Sequence, residues 1–161
     1  MNVYVETNFL LELAFLQEEH ESCERIVDLC KTVGTAIVIP TFSIAEAYET
    51  LIRRRGRRAQ ISEELMRELK QLSRSQPYRE EIEALSDCSE ILSRSSNEED
   101  QRLGDVFDRV LNLAEIIPLS ASVMKDAEQF RHTHKFEPQD SLVFASVVDH
   151  LKSAGNIESC F

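Results

Sequence analysis

Two short apolar runs in this chain each give way at once to helical periodicity, and that succession limits the folds open to it. In MNVYVETNFLLELAF, Val3 to Val5 read as a short buried strand, and Phe9, Leu10, Leu13, Ala14 and Leu16 then recur at the spacing of one helical face. In TAIVIPTFSIAEAYETLIRRR, a second buried strand ends at Pro40, and a helix follows with Ile44, Ala47, Tyr48, Leu51 and Ile52 as its inward stripe. Between these segments, EEHESCERIVDLCKTVG keeps Cys23, Ile26, Val27 and Cys30 on one face and stops at Gly34. Strand, helix, strand, helix predicts an α/β fold built on a parallel sheet.

The same alternation returns near the end of the chain. EIIPLS reads as a third strand, ASVMKDAEQFRHTHKF as a helix, and PQDSLVFASVVDHLKSAG as another that starts after Pro138 and ends at Gly155. IESCF begins a fourth strand, and the sequence ends inside it. From about residue 57 to 115 the chain is rich in Glu, Arg, Ser and Leu, without β-branched runs, and is broken at Pro77 and at the polar SRSSNEED. That stretch predicts about three helices, with residues 57–112 an insertion on the α/β core rather than a second domain. At 161 residues one domain is expected, 1–161, with about 70% of the unfolded chain's surface buried on folding.

The chain carries 18 Lys and Arg against 29 Asp and Glu, a formal charge of −11. Such a balance disfavours a broad electrostatic grip on nucleic acid or an anionic membrane, so any phosphate site must be local or metal-mediated. Cysteines at 23, 30, 88 and 160 form no C-x-x-C pair and stand at no zinc-finger spacing from a histidine. Cys23 and Cys30 would lie about 10.5 Å apart along one helix, too far for a bridge, and all four read as reduced, mostly packed thiols. No apolar run approaches about 18 residues, and no charged n-region precedes an apolar stretch. The cytoplasm is the expected location, with no membrane partner.

In an open parallel sheet, ligands bind beyond the carboxyl ends of the strands. Three acids fall there. Glu6 ends the first strand; Glu46 lies in the helix after the second, among Ile44, Ala45 and Ala47; Asp140 sits in the first turn of the helix after Pro138, ahead of the apolar run from Leu142 to Val148. Converging carboxylates raise one another's pKa unless a cation neutralises them, which points to Mg²⁺ or Mn²⁺ and to hydrolysis of a phosphodiester by water. The plainer alternative is that Glu6 and Asp140 are helix N-terminal acids favoured by the macrodipole and Glu46 an exposed helical residue.

The segments carrying these acids resemble the PIN-domain family of metal-dependent nucleases. Its first strand typically ends in Asp-Thr-Asn or Asp-Ser-Asn followed by apolar residues, as YVETNFLLEL does here. Glu46 in IVIPTFSIAEAYETL and Asp140 in PQDSLVFASVVDHL match the family's acids in the helix after strand two and at the start of the late helix. The resemblance implies a three-layer α/β/α fold with a central parallel sheet of about four strands and a helical insertion. It also implies Glu6, Glu46 and Asp140 as catalytic metal ligands for Mg²⁺ or Mn²⁺, with Asn8 orienting Glu6 or a water and Thr7 capping the first helix. Single-stranded RNA is the implied substrate, and a toxin-like role brings an antitoxin-like inhibitory protein, or a second copy of the chain, as further partners.

Two departures from the family pattern bear on activity. Glu6 stands where the family has Asp, which moves its carboxylate outward by about 1.5 Å. The family's further acid after the fourth strand is not reached, so the chain is either truncated or lacks it. Both departures favour the alternative of a catalytically weak or inactive PIN-like module that binds RNA or a protein partner. A phosphotransfer or phosphatase site is a more remote alternative, since it would want Asp at position 6.

The basic block RRRGRR, with Arg53, Arg54, Arg55, Arg57 and Arg58, is read in two ways: as cations favoured at a helix C-terminus, or as forks for RNA phosphates. His132 and His134, two apart, point to different sides of a helix and do not share a metal. No Ser-His-Asp constellation, G-x-S-x-G elbow or phosphate-cradling glycine loop can be assembled.

Overall fold

The computed structural model describes residues 1–32, 34–78, 82, 85, 87–155 and 157–161. Four short strands, β1 (Asn2–Tyr4), β2 (Ala36–Pro40), β3 (Ala114–Ile117) and β4 (Ser159–Cys160), form one sheet in the order β3-β2-β1-β4. Every pairing is parallel: Val3 lies opposite Ile37 on one side and Cys160 on the other, while Ile39 pairs with Ile116. Parallel strands cannot be joined by tight hairpins, and the long crossovers between them are helical here. The helices are α1 (Thr7–Phe15), α2 (His20–Thr32), α3 (Thr41–Leu72), α4 (Asp87–Leu111), α5 (Ala121–His134) and α6 (Pro138–Ala154), with a 3₁₀ turn at Gln76–Tyr78. The fold is therefore α/β, with an all-parallel sheet flanked by helices.

By internal contacts the chain forms two compact units, Met1–Tyr48 with Leu103–Phe161, and Glu49–Arg102. The first contains the sheet. Ile37, Val38 and Ile39 are wholly buried, as a strand covered on both faces requires, and Tyr4, Val38, Ile117 and Val147 pack as one cluster. A second cluster, Val123, Ala127 and Ala145, joins α5 to α6, with Phe130 and Leu142 against it. His150 of α6 also ties two strands: Tyr4 Oη lies 2.7 Å from its Nδ1 and Glu115 Oε1 3.1 Å from its Nε2. The neutral tautomer that satisfies both contacts carries its proton on Nε2.

The second unit is helical. Its described residues include most of α3 and the first part of α4, joined by the Arg58 guanidinium, whose two terminal nitrogens lie 2.7 and 2.8 Å from the carboxylate oxygens of Glu99. Glu99 is buried, and its hydrogen bonds to Arg58 raise the guanidinium's already high pKa.

Several local expectations are corrected. The helix holding Arg53 to Arg58 does not end there but continues through Gly56 to Leu72, so these cations sit at no helix C-terminus. Gly56 costs a helix interior about 1 kcal/mol, which the surrounding Arg, Ala, Glu and Leu residues outweigh. Likewise SRSSNEED is no break; it lies within α4, where Ser95 and Ser96 hydroxyls bond back to the Leu92 carbonyl. The stretch expected to hold about three helices includes residues 79–81, 83, 84 and 86, which lie outside the described residues. Of the stripe proposed for the first part of α3, Ala47 and Leu51 are buried, whereas Tyr48 and Ile52 are exposed, so the buried face is narrower than the apolar one. The third strand stops at Ile117, because Pro118 has no N–H to give a ladder. All four cysteines are free, but only Cys23 is buried and Cys160 is exposed.

Candidate active site

The turn between β1 and α1 sets the first acid. Glu6 is extended, with φ −122° and ψ −171°, and stands at the N-cap of α1, where its carbonyl accepts from Phe9 N–H at 3.1 Å. Its side chain makes no cap hydrogen bond, and the residue is half-buried. The Asn8 amide donates to Glu6 Oε1 at 3.2 Å, which limits the carboxylate's swing. Thr7, expected as a cap, is the first helical residue; its buried hydroxyl instead donates to Glu46 Oε2, and lies 3.4 Å from the Ser43 carbonyl.

Glu46 stands in the second turn of α3, half-buried, and Thr7 ties it to the β1–α1 junction. One turn before it, the Ser43 hydroxyl is fully buried and without a partner among the described residues. Asp140 lies in the first turn of α6, which begins with Pro138 at a position where a missing N–H costs nothing. The Asp140 side chain is exposed.

Glu6 and Asp140, from opposite ends of the chain, line one cleft of about 510 Å³, with Phe136, Val143, Phe144 and Val147 on its walls. β1 is where the sheet's order turns, since β2 lies on one side of it and β4 on the other. A cleft past its carboxyl end is where an open parallel sheet takes ligands. Glu46 reaches this junction through Thr7 and is not part of the cleft lining.

Among the described residues, no three His, Cys, Asp or Glu side chains gather tightly enough to hold a metal ion by themselves. Mg²⁺, however, keeps several waters and is commonly bound by one or two carboxylates together with substrate phosphates. A pair of carboxylates in one cleft fits that mode.

The basic residues belong to the second unit. Arg58 has its fork closed on Glu99, and Arg53 Nη2 lies 3.3 Å from the Thr50 hydroxyl. Arg55 borders a cavity of about 380 Å³ between α3 and α4 with Ser62, Ser96 and Asn97, and Arg57 is exposed.

Sequence reasoning missed the aromatic wall of the cleft. Phe144 follows Asp140 by one helical turn, so an i, i+4 reading from the acid was the signal available. His134, read as a helix-end cation, packs at 5.5 Å and 28° on Phe136.

The sequence pattern of the PIN domain matches residues 3–161, essentially the whole chain. PIN domains are generally nucleases and typically depend on divalent metal. Comparison with characterised proteins and with solved structures returns no match.

Proposed function

Because the chain belongs to the PIN-domain family, we propose that it is a ribonuclease that hydrolyses single-stranded RNA with the help of Mg²⁺ or Mn²⁺. The observation that carries this reading is the convergence of Glu6 and Asp140 on one cleft at the turning point of the sheet. In this reading the two carboxylates are the direct ligands of the ion. Asn8 holds Glu6 in place, and Thr7 holds Glu46 against the β1–α1 junction, from where this third acid would add negative charge near the ion. Bound there, the ion supplies a Lewis acid that offsets charge on the phosphate. A toxin-like role, with an inhibitory partner protein, is the setting in which such a nuclease would be held in check.

The test is cleavage of a labelled single-stranded RNA with Mn²⁺ or Mg²⁺, alongside calorimetric titration of the ion. Asp140→Asn and Glu6→Gln should each weaken ion binding at least about tenfold and abolish cleavage, while leaving the circular dichroism spectrum unchanged. Cleavage that survives chelator in both variants would refute the assignment. The engagement of Glu46 by Thr7 favours a second reading, a catalytically silent module that binds RNA or protein. It is supported instead if the wild-type chain binds RNA without cutting it in either ion.

A further inference from the structure

The cleft that holds Glu6 and Asp140 also carries Phe136, Phe144 and Phe161 on its lining. Phe144 is 40% exposed, although its neighbours Val143 and Ala145 are buried. Its ring is held by three others: Phe130 at 5.1 Å and 80°, Phe136 at 5.2 Å and 66°, and His134 at 6.3 Å and 62°. Edge-to-face packing of this kind fixes the plane of a ring. A large apolar ring that is both braced and exposed offers a stiff surface, since little rotamer freedom remains to be lost on binding.

Position turns that surface into a candidate subsite. Asp140 and Phe144 are one turn apart on α6, about 6 Å along its axis, which is the scale on which one nucleotide holds its base apart from its phosphate. A ligand filling the cleft must place a flat apolar group against Phe144 and, a few ångströms away, a group that two carboxylates accept through a cation. A purely apolar peptide meets the first demand and leaves the carboxylates facing apolar matter, which is unfavourable. A nucleotide meets both. The volume of about 510 Å³ lies within the roughly 300–1,000 Å³ of ligand pockets.

Resting on the ribonuclease reading, we propose that Phe144, braced by Phe136, is a base-stacking platform that seats an unpaired nucleobase of the RNA beside the phosphate held at Glu6 and Asp140. Base-on-ring stacking tolerates any base but requires that the base be unpaired, so the platform would select single strands over duplex without reading sequence. Phe144 is in this scheme a positioning residue.

The chain has no Trp, so 2-aminopurine in a bound RNA can be excited without interference from protein fluorescence. The probe is a single-stranded RNA hexamer containing 2-aminopurine, titrated with the full chain in Ca²⁺. An abasic ribose-phosphate hexamer of equal charge serves as competitor. Stacking predicts quenching on binding, and an abasic competitor weaker than the base-bearing hexamer by about five- to 150-fold. Phe144→Leu should lose both the quenching and the discrimination, and Phe144→Tyr should keep both. Equal binding of the two hexamers by the wild type overturns the platform, and needs no variant that might fail to fold. So does a Phe144→Leu protein that still quenches, or one that only loses self-association, which would give the cleft to a second copy. Mn²⁺-dependent cleavage without base discrimination overturns the platform alone; absence of both RNA binding and cleavage overturns the ribonuclease reading with it.

Discussion

The Thr7 hydroxyl donates to the Glu46 carboxylate, joining the first turn of α1 to the second turn of α3. The contact fixes one acid against the turn that carries another, and it does so from a buried side chain. Hydrogen bonds to charged groups contribute about 1.5–3 kcal/mol, and the lower end applies where the acceptor is partly solvated, as Glu46 is. Thr7→Val keeps the shape and removes the donor. It should lower the free energy of urea unfolding by about 1.5 kcal/mol, whereas Thr7→Ser should recover most of that loss.

Glu6→Asp shortens the arm of the first acid to the length usual among PIN domains. Since Mg²⁺ demands near-ideal octahedral geometry, the expected effect is a rise in Mg²⁺-supported RNA cleavage relative to Mn²⁺, on the order of tenfold. Initial rates in the two ions at matched concentration measure it. An unchanged ratio would mean that Glu6 does not touch the ion.

The Arg58–Glu99 pair supports the helical unit. Breaking a buried ion pair on one side costs about 3–5 kcal/mol, and the low end is expected because Arg58 keeps some exposure. Arg58→Met should therefore destabilise by about 3 kcal/mol in chemical denaturation. The double variant Arg58→Met with Glu99→Leu should regain most of it, since no charge is then left without its partner.

At the end of α5 the Arg131 guanidinium, and after it His132, hydrogen-bond Glu128 and hold its carboxyl down from the ordinary 4.5 to about 2. A depressed acid stabilises the folded chain above its unfolded pKa and loses that contribution as pH falls through the folded value. The difference in melting temperature between wild type and Glu128→Gln should therefore be constant above about pH 4.5 and shrink between there and about pH 2. Carbon-detected NMR titration of Glu128 in an Arg131→Gln background should show the midpoint moving back up.

How much of this was open to a reader of the sequence depends on whether a local rule or a distant contact decides each residue. Val3 to Val5 and Ala36 to Ile39 announce strands because β-branched runs fit a covered pleat, and Glu6 and Asp140 stand at strand and helix ends that can be counted out in advance. Tyr48 illustrates the other case. It lies on the apolar stripe of α3, yet its ring stacks on Phe107 at 4.5 Å while remaining exposed, and only the arrival of α4 decides that. Arg53 to Arg58 look like a helix end because Gly56 interrupts them, but a penalty of about 1 kcal/mol is small beside a long run of good helix formers. The spacing of Phe144 from Asp140 could be counted in advance, but a Phe in an apolar run reads as core until its exposure is known.

Gly56 itself offers a check on that account. A Cβ at this position would meet nothing within 4 Å, and the residue lies inside α3. Gly56→Ala should raise stability by about 0.5–1 kcal/mol, measured by thermal or urea unfolding. A loss would mean that the helix needs a hinge there.

The cleft draws one wall from the start of the polypeptide and the other from α6. During synthesis Glu6 leaves the ribosome long before Asp140 is made, and α6 can dock only after it has emerged in turn. A nascent chain therefore carries half a centre until α6 has emerged. In the ribonuclease reading the delay is a safeguard: the codons of α6 are translated before the paired carboxylates that would act on the messenger exist.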